Sequence, residues 1–169
     1  MRRLLHRATF SLAIAAASAL SACSSQAPNS TDSAATAGAS GGVVGCRSSD
    51  GDSYAPGLEK PGSAGHFTFA LVSSTPAPPA LDDNVFVVRV SDADGNPLDG
   101  VLSVSLEMPE HGHPSPKQPE IRFDPESRAF TLEPMRLFMV GLWRITFDFQ
   151  ASIADASLAD TAVFEFCID

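Results

Sequence analysis

A chain of 169 residues with 20 acidic against 11 basic side chains, and a formal net charge of −9, has room for one domain of ordinary size. It lacks the positive charge that nucleic acid or an anionic lipid surface asks of a partner, so no nucleic-acid role is expected. Its 3 cysteines include no Cys-x-x-Cys pair, which argues against a ribbon-type zinc site or a thioredoxin-type redox centre.

The chain opens on a basic segment, Arg2, Arg3 and Arg7, followed by an uncharged Ala/Leu-rich run from Ala8 to Leu20. That run is too short for an ordinary membrane-spanning helix and has the architecture of a secretory signal. Leu20-Ser21-Ala22-Cys23 directly after it resembles the lipobox of bacterial lipoproteins. The resemblance implies cleavage after residue 22 and acylation, as by palmitate, of Cys23. Each buried methylene of an acyl chain contributes about 0.8 kcal/mol, so two or three chains give a lasting membrane anchor. The expected location is the cell envelope, outside the cytoplasm, periplasm-facing or on the outer membrane. Ser24 favours the latter under the enteric sorting rule. Loss of the leader removes three arginines and no acid, which leaves the mature chain more acidic still. Residues 23–45 are almost all Ser, Ala, Thr, Gly, Pro and Asn after the cysteine, a composition that cannot bury a core. They are expected to act as a tether of about 25 Å average reach.

With Cys23 committed to lipid, Cys46 and Cys167 remain, one just after the tether and one two residues from the carboxyl end. In an oxidising compartment such a bracketing pair predicts a disulfide, with a redox or metal-binding pair as the alternative. Closing so long a loop contributes at most about 5 kcal/mol in the chain-entropy model.

The region 46–169 is predicted to be all-β. Phe67, Phe69 and Leu71 share one face of a first strand, which Pro76, Pro78 and Pro79 then stop. Asn84–Asp92 is a second strand, and Asp94-Gly95 supplies the turn chemistry for a hairpin into the next. In Val101–Met108, Leu102, Val104, Leu106 and Met108 face one way and Ser103, Ser105 and Glu107 the other. Ile121–Phe123 and Ala129–Leu132 are short candidates. Trp143, Ile145, Phe147 and Phe149 alternate with polar residues, as do Ala162, Phe164, Phe166 and Ile168 within Thr161–Ile168. Only Ala151–Asp160 could offer a helical turn. Some seven strands separated by Pro, Gly and Asp turns predict an immunoglobulin-like β-sandwich.

No Gly-x-Ser-x-Gly, His-Glu-x-x-His or paired catalytic acids are present, so the chain is not expected to be an enzyme. The acids of Asp92-Ala-Asp-Gly-Asn-Pro-Leu-Asp99 invite a calcium reading. Their glycine stands fourth, not sixth, and strands flank them, so they are expected to form a plain turn. Met108-Pro-Glu-His111-Gly-His113 is more informative, because thioether and imidazole are ligands that suit copper and do not suit magnesium or calcium. Spacing alone does not decide, since loop histidines are commonly solvated and a methionine on an apolar face is commonly core.

Three stretches together resemble the YtkA-like domain, which is related to the FixH-like proteins. They are Val88-Arg-Val-Ser-Asp-Ala-Asp-Gly-Asn-Pro-Leu-Asp-Gly100, Met108-Pro-Glu-His-Gly-His113 and Phe138-Met-Val-Gly-Leu-Trp143. The match runs from about His66 to Phe149 and departs at Val140, where the family often has proline. The resemblance implies an extracytoplasmic β-sandwich concerned with copper handling or with assembly of copper enzymes. Its implied ligands are Met108, His111 and His113, with Met139 as a fourth, while Trp143 anchors the core. Met135 and His66 match nothing in the pattern. The rival expectation is a metal-free immunoglobulin-like interaction domain that meets another envelope protein.

Overall fold

The computed structural model describes residues 46–47, 49–153 and 156–169. The segments read from the sequence as a signal, an acylation site at Cys23 and a tether to residue 45 lie outside them. Nine strands follow in chain order: β1 (Leu58–Pro61), β2 (Thr68–Thr75), β3 (Asp82–Ser91), β4 (Val101–Met108), β5 (His113–Pro114), β6 (Glu120–Asp124), β7 (Ala129–Leu137), β8 (Gly141–Ile153) and β9 (Ala156–Ile168). All pair antiparallel, in one sheet ordered β1-β2-β3-β7-β6 and another ordered β5-β4-β8-β9. No helix occurs among the described residues. The fold is a β-sandwich.

Period-2 alternation builds the core. Trp143, Ile145, Phe147 and Phe149 of β8 and Phe164, Phe166 and Ile168 of β9 are all 3% exposed or less. They meet Phe69, Leu71, Phe86, Val88 and Leu132 of the facing sheet, which are fully buried. Each such side chain contributes about 1.5–3 kcal/mol on leaving water. Edge-to-face ring pairs, such as Phe67 with Phe149 at 5.3 Å and Phe86 with Phe166 at 6.3 Å, stitch one sheet to the other.

Two sequence expectations are corrected. The Asp94-Gly95 turn forms and reverses the chain, with Gly95 N–H donating to the Asp92 carbonyl at 3.0 Å, but the pairing it closes is only a few residues long and does not lead β3 into β4. Ser91 bridges to Pro97, flanked by Asp92 N–H to the Asn96 carbonyl (3.1 Å) and Leu98 N–H to the Val90 carbonyl (2.8 Å), and the chain then crosses so that β4 pairs β8 in the opposite sheet. The helical turn considered for Ala151–Asp160 is absent from its described residues. Ala151–Ile153 end β8, Ala156–Asp160 begin β9, and the two strands stay paired out to Ile153 opposite Ala156. Ala, Ser and Leu there are adequate helix formers, and cross-strand pairing overrides that local preference.

β9 is an edge strand of 13 residues, and the amino-terminal segment covers it. Asp52 N–H donates to the Glu165 carbonyl (2.6 Å), while Glu165 N–H donates to the Asp52 carboxylate (2.8 Å). Ser63 N–H reaches the Thr161 carbonyl (2.9 Å), and Lys60 Nζ the Val163 carbonyl (2.8 Å). Backbone groups that would otherwise template aggregation are thereby occupied. The Cys46–Cys167 disulfide, with Cα atoms 5.6 Å apart, ties the start of this segment to the end of β9.

Candidate metal centre

β4 ends at Met108, and the chain reverses at once. The amides of His111 and Gly112 both donate to the Met108 carbonyl, at 3.1 and 2.9 Å. Gly112 takes a φ of +66°, which glycine adopts without steric cost. The reversal sets His113, the first residue of β5, directly opposite Met108. Opposed residues project to the same face of a sheet with Cβ atoms about 4.5–5.5 Å apart. His113 therefore shares the inward side with Met108 at the open end of the sandwich, where Met108 is 1% exposed and His113 half-buried.

His111 stands exposed in the turn, its ring edge-on to that of His113 with centroids 5.6 Å apart and planes at 85°. The His113 ring lies against Phe138, centroids 5.7 Å apart, and Phe138 lies edge-on to Trp143 at 5.5 Å. His113 Nδ1 is 3.4 Å from the Pro114 carbonyl oxygen. With its proton on Nδ1 the ring donates there and keeps Nε2 free to act as a ligand. Trp143 is fully buried, as expected of a core anchor, and its indole N–H donates to the Met139 carbonyl at 2.8 Å. That bond fastens the connection from β7 to β8.

Met108 and His113 thus stand opposite one another, and His111 packs beside His113. Met139 is half-buried against the core beside Phe138, and Phe138 is the residue of that connection that meets His113. Phe138 and Gly141 were missed as site residues, although both lie in the Phe138–Trp143 stretch that carries the resemblance. Gly141 has a φ of +131°, and a Cβ placed on it would lie 2.7 Å from Met108 Cε. Met135 is fully buried core, and His66 is exposed beside Phe67.

The donor set can be tested against a metal. Two imidazoles that share one ion through bonds of about 2 Å have ring centres roughly 4.5–6.3 Å apart. The 5.6 Å between His111 and His113 falls inside that range. Among the described residues no group of three His, Cys, Asp or Glu side chains could hold an ion, so His111 and His113 are the only protein ligands of those four types at this place. Glu107, next in the chain to Met108, is exposed and engaged with Arg144 at 3.4 Å. Arg144 in turn bonds Glu165 at 2.9 Å, which with Glu107 raises the guanidinium above its usual value. A soft, neutral set without carboxylate fits copper better than a hard divalent cation.

Other features do not compete. In the Asp92–Asp99 turn, Asp92 Oδ1 accepts the amides of Asp94 and Asn96, both at 2.9 Å, and the hydrogen bonds from Asn96 hold its carboxyl below the usual range. A cleft of about 410 Å³ lined by Asp83, Lys117, Arg122 and Glu133 lies apart from the histidines. Comparison of the chain with protein-family models, with curated proteins and with solved structures finds no match.

Proposed function

We propose that this domain is a copper-binding module of the cell envelope, held on a membrane through acylated Cys23 and serving copper homeostasis or the assembly of a copper enzyme. Met108, His111 and His113 are the ligands, with Met139 in reserve. The reading is carried by the direct opposition of Met108 and His113 across the β4–β5 pair, with His111 packed against His113. The resemblance to YtkA-like and FixH-like domains supports it, and the Cys46–Cys167 disulfide accords with an oxidising compartment. Bound copper would be cargo, so the chain's own work is to present one thioether and two imidazoles at an end of the sandwich that solvent reaches through His111. The burial of Met108 favours a second reading, a metal-free immunoglobulin-like interaction domain in which that side chain is only core.

Competition with a copper(I) chelator of known affinity separates the two. The domain should take up one copper per chain at micromolar concentration. His111→Ala combined with His113→Ala should abolish uptake and leave the sandwich folded, at a cost of about 1 kcal/mol that comes mainly from the half-buried His113 ring against Phe138. Equal binding by wild type and double variant would leave the metal-free reading.

A further inference from the structure

We infer that Gly141 is the positioning residue that makes this site select cuprous copper over cupric copper and zinc, by holding the Met108 thioether in place; the inference rests on the copper reading above. Gly141 opens β8 opposite Ile168, and the Met108 side chain fills the space where any other residue would carry its Cβ. Its φ of +131° is itself a conformation that side-chain-bearing residues avoid. The terminal methyl of Met108 lies over the bare backbone of Gly141, and Met108, at 1% exposure, stands opposite His113 in the β4–β5 pair. Unbranched methionine has three side-chain torsions and does not hold one geometry unless its surroundings do.

The wall around His113 and Met108 is apolar: Phe138 against the imidazole, Trp143 behind Phe138, and the glycine. An ion there loses water and gains no charged ligand. That desolvation cost is far smaller for a monovalent than for a divalent ion, and sulfur favours the softer one. The two imidazoles, by contrast, serve cupric copper and zinc as well. His111 and His113 alone make a site of little discrimination, and the thioether held by Gly141 supplies the preference.

The test compares wild type, Gly141→Ala, Met108→Leu and the double variant by copper(I) competition, by zinc and copper(II) titration, and by thermal melting. Gly141→Ala should weaken copper(I) by about tenfold or more and leave zinc within about threefold, a change of ratio that simple loss of stability would not produce. In the Met108→Leu background the same glycine change should cost no further copper(I) affinity. If Gly141→Ala does not fold, the ratio is read in Met108→Leu alone, and an unaltered copper(I)-to-zinc ratio there overturns the inference. An equal loss of both metals in Gly141→Ala overturns it too. Wild type that binds no copper overturns the proposed function itself, and the two failures are therefore distinguishable.

Discussion

Asp160 is 4% exposed, and its carboxylate accepts four backbone N–H groups: Ala64 at 2.7 Å, His66 at 2.8 Å, Phe67 at 3.1 Å and its neighbour Thr161 at 2.9 Å. The loop before β2 is thereby pinned to β9, and Gly62 is required beneath it because a Cβ would collide with the carboxylate. Burial by itself would raise this carboxyl; the four donors outweigh it and hold the group below the ordinary aspartate range. A carboxyl depressed in the folded state stabilises it above the unfolded pKa, near 3.9, and that stabilisation fades as pH falls through the folded value. Asp160→Asn keeps the shape but turns one acceptor into a donor facing N–H groups. It should cost about 2–3 kcal/mol at pH 7. Urea unfolding at pH 7 and pH 3 checks this: the gap between wild type and variant should narrow in acid, and a constant gap would mean that the charge is not what holds the loop.

At the scale of elements, the disulfide does not act alone on the edge of β9. Asp52, Lys60 and Ser63 close the same edge by hydrogen bonds, and Lys60 also pairs with Asp52 at 2.6 Å and lies over the Phe164 ring. Cys46→Ser should therefore lower stability by about 2–4 kcal/mol, below the chain-entropy ceiling for so long a loop, and leave the sandwich folded. Hydrogen exchange in that variant should quicken at Asp52 and Glu165 before it quickens in β8, and uniform quickening would deny the segment its role as a separate clasp. The alternation in β4, β8 and β9 was plain in the sequence because one inward and one outward face impose it. Less legible were β1, which carries Glu59, Lys60 and Pro61, and β5, which is two residues long. The β3–β4 connection looked like a hairpin because a turn is local, whereas the sheet a strand joins is decided by distant partners. The same holds at the candidate site. The Met108–His113 segment could be read as a ligand run, but the contact of Phe138 with His113 and the seat that Gly141 makes for Met108 arise only when β7 and β8 pack beside β4.

At the scale of the whole molecule, the membrane attachment proposed above rests on the sequence before residue 46 and not on the sandwich. The described residues contain no helix long and apolar enough to cross a bilayer. The run Ala8–Leu20 followed by Leu20-Ser21-Ala22-Cys23 supplies the attachment we propose, through acyl chains whose burial adds about 0.8 kcal/mol per methylene. A single chain gives only reversible binding and two or more give lasting binding, so the outcome turns on one thiol. Expressed in a bacterial host with radiolabelled palmitate, the wild type should incorporate label and sediment with membranes. Cys23→Ala should do neither, yet its domain should keep the Cys46–Cys167 bridge and the melting temperature of the wild type, since the bridge and the buried core are built from residue 46 onward. If Cys23→Ala is labelled and sediments as the wild type does, the anchor lies elsewhere. If it melts lower, residues before Cys46 contribute to the fold, and the division into tether and domain at residue 46 is wrong.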